Sequence, residues 1–272
     1  MTEVLRYSAF TDDPRGGNPA GVVLDATGLT DDDMLKIAAD VGYSETAFAV
    51  RTGDRAYDVR YFSPLAEVAF CGHATIATSV ALAERAGPGT LTFATKAGVI
   101  DIATTAGTAS LTSVPTSTRP ATPELVSQVL EALHWKESDV SQDHPVHIGN
   151  AGNDHLLIGV SSRERLAELD YDFEALKNLM HANDLTTVHL FWRESPELVH
   201  ARDPFPVGGV VEDPATGAAA AAFGGYLRDL EGPQRFVIRQ GEDMGRPSRL
   251  EVDATGEDRR VTVSGGAVPI TA

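Results

Sequence analysis

A single cysteine, Cys71, stands in 272 residues. That excludes an intrachain disulfide and any multi-cysteine metal centre. Basic residues are also scarce: 22 Lys and Arg against 39 Asp and Glu leave a formal net charge of −17. With no Lys/Arg run to offer a local basic patch, this balance argues against nucleic acid as a partner, and the acidity reads as a solubility device. No stretch of 18 apolar residues occurs, and no basic segment followed by an apolar one opens the chain. A membrane partner is therefore not expected, and the cytoplasm is the expected compartment. What is present is ordinary for a globular protein: 42% hydrophobic and 22% charged residues, on a chain long enough for one large or two medium cores.

The stretch from Gly209 to Ala222 organises the rest. An apolar lead-in, Val210-Val211, meets two carboxylates, Glu212 and Asp213, and then Pro214, Thr216 and Gly217. A helix of almost nothing but alanine and glycine follows, up to Tyr226 and Leu227. Proline suits the first helical position, so the pattern predicts a helix starting at Pro214 with Asp213 beside its N-cap. Side chains this small point to other backbone packed closely around the helix, as in a helix wrapped by sheet. A capped core helix with no chemistry explains this segment equally well.

A second copy of the design shifts that balance. Phe62 and Pro64 precede a short apolar run, and Cys71-Gly72-His73 opens another small-residue helix that ends before Gly87. Two similar halves are predicted, each with a helix N-terminus carrying polar side chains. Such halves would form one cleft suited to an anionic ligand. Residues 115–121, with two prolines and no periodic apolar pattern, read as the linker. The halves are then 1–115 and 122–272, with the C-terminal strand free to pack back on the first.

Elsewhere, Thr30 is predicted to cap a helix ending at Gly42, and Thr122, Ser162 and Asp172 to cap three more. Tyr43–Val50 reads as a strand with Glu45 and Ala47 on one face and Ser44, Thr46 and Phe48 on the other. Further strands are predicted at 235–239, 249–252 and 259–263. Gly16-Gly17-Asn18-Pro19 reads as a loop, able to turn backbone N–H groups and the Asn18 amide toward a ligand.

Glu45, His73 and Asp213 form a candidate proton-handling set. Carbon-acid chemistry needs a group titrating near the working pH, which desolvation in a closed cleft gives a carboxyl, and donors aimed at developing negative charge, which helix N-termini supply. Taken singly, Glu45 reads first as a solvent-facing strand residue and His73 as a helix-cap histidine. Cys71 reads as a small buried residue. Without a second thiol, a racemase that works with two cysteines is excluded.

Six motifs together carry a resemblance. Gly17-Asn18-Pro19, Ser44-Glu45-Thr46, Phe62 with Pro64, Gly72-His73-Ala74-Thr75, Glu212-Asp213-Pro214-Ala215-Thr216-Gly217 and Gln240-Gly241 with Met244-Gly245-Arg246-Pro247-Ser248 run in order along nearly the whole chain. The chain thereby resembles the phenazine-biosynthesis isomerase/epimerase-like (PhzF-like) family. The resemblance implies an α+β, diaminopimelate-epimerase-like fold: two pseudo-symmetric domains, each a mostly antiparallel curled sheet around a central helix. It also implies catalysis without cofactor or metal on a small carboxylated metabolite, in an enzyme that is often a homodimer. By motif position the glutamate that shuttles the proton is Glu45, assisted by His73 and Asp213. Substrate contacts fall on Asn18, Gly72, Ala74, Thr216, Gly217 and Ala218. Two positions depart from the phenazine enzyme: Ala218 stands where it has a serine, and Cys71-Gly72-His73-Ala74 where it has no cysteine and a proline after the histidine. The alternative function is a metabolite-binding protein that uses the same residues without catalysis.

Overall fold

Local capping chemistry sets most helix boundaries. In the computed structural model, which describes residues 2–271, Thr30 accepts from the Asp33 amide while the Asp33 carboxylate accepts from Thr30 N–H, a reciprocal pair that starts the first helix. Gly42, at φ 74°, ends it in the left-handed conformation that glycine takes without strain. In chain order the first elements are β1 (Leu5–Ala9), β2 (Asn18–Val23), α1 (Asp31–Val41), β3 (Glu45–Gly53), β4 (Ala56–Phe62), β5 (Glu67–Val68), α2 (Gly72–Ala86), β6 (Gly89–Thr95), β7 (Gly98–Thr104) and β8 (Thr108–Thr112). They are followed by β9 (Ser117–Pro120), α3 (Pro123–Ala132), β10 (His147–Asn150), β11 (Asp154–Gly159), α4 (Arg163–Ala167), α5 (Phe173–Ala182), β12 (Leu185–Ser195) and β13 (Leu198–Pro204). The chain ends with β14 (Glu212–Asp213), α6 (Gly217–Glu231), β15 (Arg235–Gln240), β16 (Ser248–Asp253) and β17 (Thr262–Pro269). Two compact units result: one runs to Thr112 and takes in Ser264 onward, and the other is Ser113–Val263.

The first unit is a ring of strands around α2. β1 pairs antiparallel with β2, β2 parallel with β3, β3 antiparallel with β4, and β4 parallel with β6. β6, β7 and β8 continue antiparallel, β8 pairs with β17, and β17 returns antiparallel to β1, closing the barrel. Every residue of α2 from His73 to Ala83 is buried. A helix enclosed on all sides has no solvent stripe to keep polar, and its alanines let the strands approach closely. Two of its hydroxyls are satisfied within the helix: Thr75 Oγ1 donates to Cys71 O and Thr78 Oγ1 to Ala74 O. Outside the ring, α1 packs Met34 and Ala38 on Val23, Phe48 and Phe62. Since Phe48 faces α1, strand alternation turns Glu45, Ala47 and Ala49 toward α2.

The second unit repeats this order of pairings. β9, β10 and β11 run antiparallel, β11 pairs parallel with β12, β12 antiparallel with β13, β13 parallel with β15, and β15 antiparallel with β16. As α1 crosses from β2 to β3, α4 and α5 cross from β11 to β12; as α2 crosses from β4 to β6, α6 crosses from β13 to β15. Both central helices follow a two-residue strand, β5 or β14, that pairs antiparallel with the preceding long strand. The fold is the pseudo-symmetric, diaminopimelate-epimerase-like α+β fold. The strand beside β10 is β9, next in sequence, whereas the strand beside β1 is β17, from the far end of the chain. On the outer face α3, α4 and α5 bury Leu125, Val129, Leu166, Leu176 and Met180 against Ile158, Val188 and Leu190.

Three local expectations need correction. Residues 115–121 are not a bare linker, because Ser117–Pro120 finds partners in β10, with Thr118 opposite Gly149. The expected strand at 259–263 begins at Thr262, since Arg259 takes φ 62° and breaks the extended run. Pro214 is not the first residue of α6; the helix starts at Gly217 with Thr216 as N-cap.

Candidate functional site

In the first unit the structure brings Glu45 and His73 together. Glu45 opens β3 on its helix-facing side, and His73 is the second residue of α2. Glu45 Oε2 lies 3.4 Å from His73 Nε2, and Ser44 Oγ reaches the same nitrogen at 3.4 Å. The imidazole is 7% exposed and the carboxylate 17%. Burial pushes the His73 pKa below its ordinary value, an effect the Glu45 charge partly opposes. At neutral pH the ring is therefore uncharged, with one nitrogen able to donate and one to accept. Cys71, the N-cap of α2, places Sγ 3.4 Å from His73 Nδ1. A carboxylate, a neutral imidazole and the first N–H groups of a buried helix thus share one corner. That set can take a proton from carbon and support the negative charge left behind.

Asn18 begins β2, opposite Ala9, and is buried at 2% exposure. Gly17 before it has φ 65°, and a Cβ there would sit 2.4 Å from Ala9 O, so only glycine brings the chain into β2 in this way. Gly72 is the first residue of α2, with open space around the position a Cβ would take. Ala74 is fully buried two residues on.

The second unit holds Asp213, Thr216, Gly217 and Ala218. Asp213, on β14, is half-buried opposite Asp203 of β13. Its Oδ2 accepts from Thr216 Oγ1 at 2.6 Å. Thr216 N–H donates to Gln240 Oε1 at 3.2 Å, and Gln240 Nε2 donates to Asp213 O at 2.8 Å. Gln240, 1% exposed, therefore holds the whole 213–216 turn. With the Thr216 hydroxyl and N–H both engaged this way, the helix waits until Gly217, which is why the proline signal misplaced its start. Gly217 and Ala218 are the first two residues of α6.

Glu212 and Asp213 separate because adjacent strand residues point to opposite faces. Glu212 accepts twice from Arg202, Nε to Oε1 at 3.0 Å and Nη2 to Oε2 at 2.6 Å, so it is a structural group while Asp213 faces the turn. Sequence reasoning missed the anchoring by Gln240, whose partners lie 24 and 27 residues away, and the buried network behind Asp213. There His189 Nδ1 lies 3.1 Å from Asp203 Oδ1, and Thr187 Oγ1 links Asp203 to His155. The alternation of Thr187 and His189 along one strand was the available signal.

The family model "Phenazine biosynthesis-like protein" matches residues 7–272. A Bacillus subtilis (strain 168) protein named "Uncharacterized isomerase YfhB" is 32% identical over 281 residues, covering 98% of this chain and 96% of its own. The crystal structure of a Bacillus anthracis phenazine biosynthesis protein of the PhzF family superposes with a TM-score of 0.87 at 25% identity, over 99% of this chain and 98% of that one. A probable proline racemase from Agrobacterium radiobacter K84 shares the fold alone, with a TM-score of 0.68 at 13% identity over 99% of this chain and 91% of that one. The chain belongs to the phenazine biosynthesis-like family and is an isomerase by class.

Proposed function

We propose that the chain moves a proton between carbons, or between faces of one carbon, on a small carboxylated metabolite, with Glu45 as the acid/base group and no cofactor. The observation that carries this reading is the Glu45 carboxylate 3.4 Å from the neutral, buried His73 at the start of α2. Glu45 takes the proton from carbon as the C–H electron pair delocalises into the neighbouring unsaturated group. The same carboxyl then returns the proton at the second position. His73 supplies a neutral hydrogen-bond donor close to the developing charge, and the N–H groups of Gly72 and Ala74 extend that support. Asp213 joins as a further acid/base group by its motif position, with Thr216, Gly217 and Ala218 beside it as substrate contacts.

The test is solvent-deuterium uptake into a panel of small carboxylates, followed by NMR. The wild-type chain should label one of them at carbon. General acid/base groups contribute about 10²–10⁴-fold, so Glu45→Gln should reduce labelling by at least about a hundredfold with the fold unchanged. Labelling retained in Glu45→Gln overturns the assignment. Ala218, where the phenazine enzyme has a serine, favours a second reading, in which the site holds a metabolite without turning it over. That reading predicts binding of a panel member with no deuterium uptake.

A further inference from the structure

Cys71 and His73 converge although they stand two residues apart, a spacing that diverges on a regular helix. The N-cap explains it: Cys71 has φ −144° and ψ 115°, so its side chain leaves extended backbone while His73 leaves the first helical turn. Sγ lies 3.4 Å from His73 Nδ1 and 3.7 Å from Nε2, and Nε2 lies 3.4 Å from Glu45 Oε2. One ligand-capable atom from each of the three residues falls within 4.8 Å of the others. Tetrahedral zinc takes sulfur at about 2.3 Å and imidazole nitrogen or carboxylate oxygen at about 2.0–2.2 Å, which sets sulfur–nitrogen and nitrogen–oxygen separations of about 3.3–3.6 Å. Measured to Nε2, the sulfur–nitrogen and nitrogen–oxygen separations are near those lengths; because Sγ is as close to Nδ1, the imidazole has to turn to aim one nitrogen at the cation, and the sulfur–oxygen separation has to close by roughly 1 Å.

We propose that Cys71, His73 and Glu45 form a binding site for a thiophilic divalent cation, zinc or its analogue cobalt(II). The fourth position is left to water or to a small-molecule carboxylate. One sulfur, one nitrogen and one oxygen donor favour these ions over magnesium and calcium, which require oxygen cages. The lack of a second cysteine excludes thiolate-rich centres but not this mixed set, and the expectation of catalysis without metal, which the resemblance implies, concerns turnover and not cation binding. The proposal stands independently of the proton-transfer reading. Where both operate they exclude each other, because the cation occupies the Glu45 carboxylate, making zinc a reversible inhibitor.

The full-length protein, stripped with chelator and kept reduced, is titrated with cobalt(II). The expected result is a saturable one-to-one thiolate-to-cobalt charge-transfer band with strong tetrahedral d–d absorption, bleached by zinc and unaffected by magnesium. Cys71→Ala should remove the charge-transfer band; Cys71 makes no side-chain cap hydrogen bond, and Cys71→Ser serves as a second test of the same ligand. Glu45→Gln and His73→Gln should each weaken cobalt binding at least tenfold, with circular dichroism confirming that each variant is folded. No charge-transfer band, a band that survives both Cys71 variants, or unchanged affinity in Glu45→Gln and His73→Gln overturns the proposal. A cobalt spectrum together with no deuterium uptake by the metal-free protein sinks only the proton-transfer reading.

Discussion

Removing Glu212 should damage the second unit far more than removing a surface carboxylate. Arg202 and Glu212 are 8% and 7% exposed, joined by two parallel hydrogen bonds of 3.0 and 2.6 Å, and Arg202 Nη1 also donates to Ala167 O at 2.8 Å. Glu212→Ala therefore strands a guanidinium that keeps its carbonyl contact but loses its counter-charge. Breaking a buried pair in this way costs about 3–5 kcal/mol, whereas an exposed pair is worth about 0.2–1 kcal/mol. The exposed Arg249–Glu251 pair of the same unit is the internal control, and Glu251→Ala should fall in that lower range. Both tryptophans, Trp135 and Trp192, lie within Ser113–Val263, so their fluorescence in urea follows this unit and avoids the ambiguity of multi-domain unfolding. At a slope of about 2–3 kcal/mol per molar, the Glu212→Ala midpoint should drop by about 1–2 M. The double variant Arg202→Met with Glu212→Leu should recover most of the loss, because replacing both partners by apolar groups removes the uncompensated charge. A Glu212→Ala shift below about 1 kcal/mol would refute the argument. So would a folded Glu212→Ala protein that has lost deuterium uptake, since that places Glu212 in the chemistry beside Asp213.

Gly225→Ala on α6 should reverse the usual sign for a helix. The change ordinarily stabilises by about 1 kcal/mol, but here a Cβ would stand 2.3 Å from Thr116 Oγ1, so urea unfolding should show a loss of about 1–3 kcal/mol. Acid should weaken the fold through His155, whose pKa is pushed down to about 4, mainly by burial. The unfolded chain then binds the proton more readily than the native one. This contribution is complete above an unfolded pKa of about 6.5 and is lost as pH falls toward 4. Burial of His73 acts in the same direction. His155→Asn should flatten stability between pH 6.5 and 4 in the tryptophan-detected urea assay, and an unchanged slope would refute the assignment.

Legibility tracked the range of the interactions. Thr30, Thr122, Ser162 and Asp172 were readable as caps because each bonds an amide three residues away, a contact the sequence itself spells out. The start of α6 was not readable, because Gln240, 24 residues downstream, competes for the Thr216 N–H. β9 was hidden for the same reason: Pro115 before it and Pro120 at its end read as linker until β10 supplies the partner strand. The paired small-residue helices announced a repeated fold and left the C-terminal strand free to pack back on the first half, but its place beside β1 is set by a partner at the other end of the chain.

The candidate site sits between these extremes. That Glu45 and Ala47 share a face follows from the two-residue period of a strand. Which face meets the helix also has a sequence signature, although it must be read from the neighbours rather than from Glu45. On β3 one side carries Ala47 and Ala49 and the other Phe48, and the two central helices of this chain are rich in small residues, alanine above all. A fully enclosed helix needs small side chains on the surrounding strands as well as on itself, so the alanine side of β3 is the side that meets α2, and Phe48 goes to α1. Glu45 lies on the alanine side at the start of β3, close to the first residues of α2, whose N–H groups have no acceptor within the helix. The carboxylate and the imidazole are therefore brought together by the same packing rule that encloses the helix. A bulky residue in place of Ala47 should disturb the Glu45–His73 contact before it disturbs anything on the α1 side.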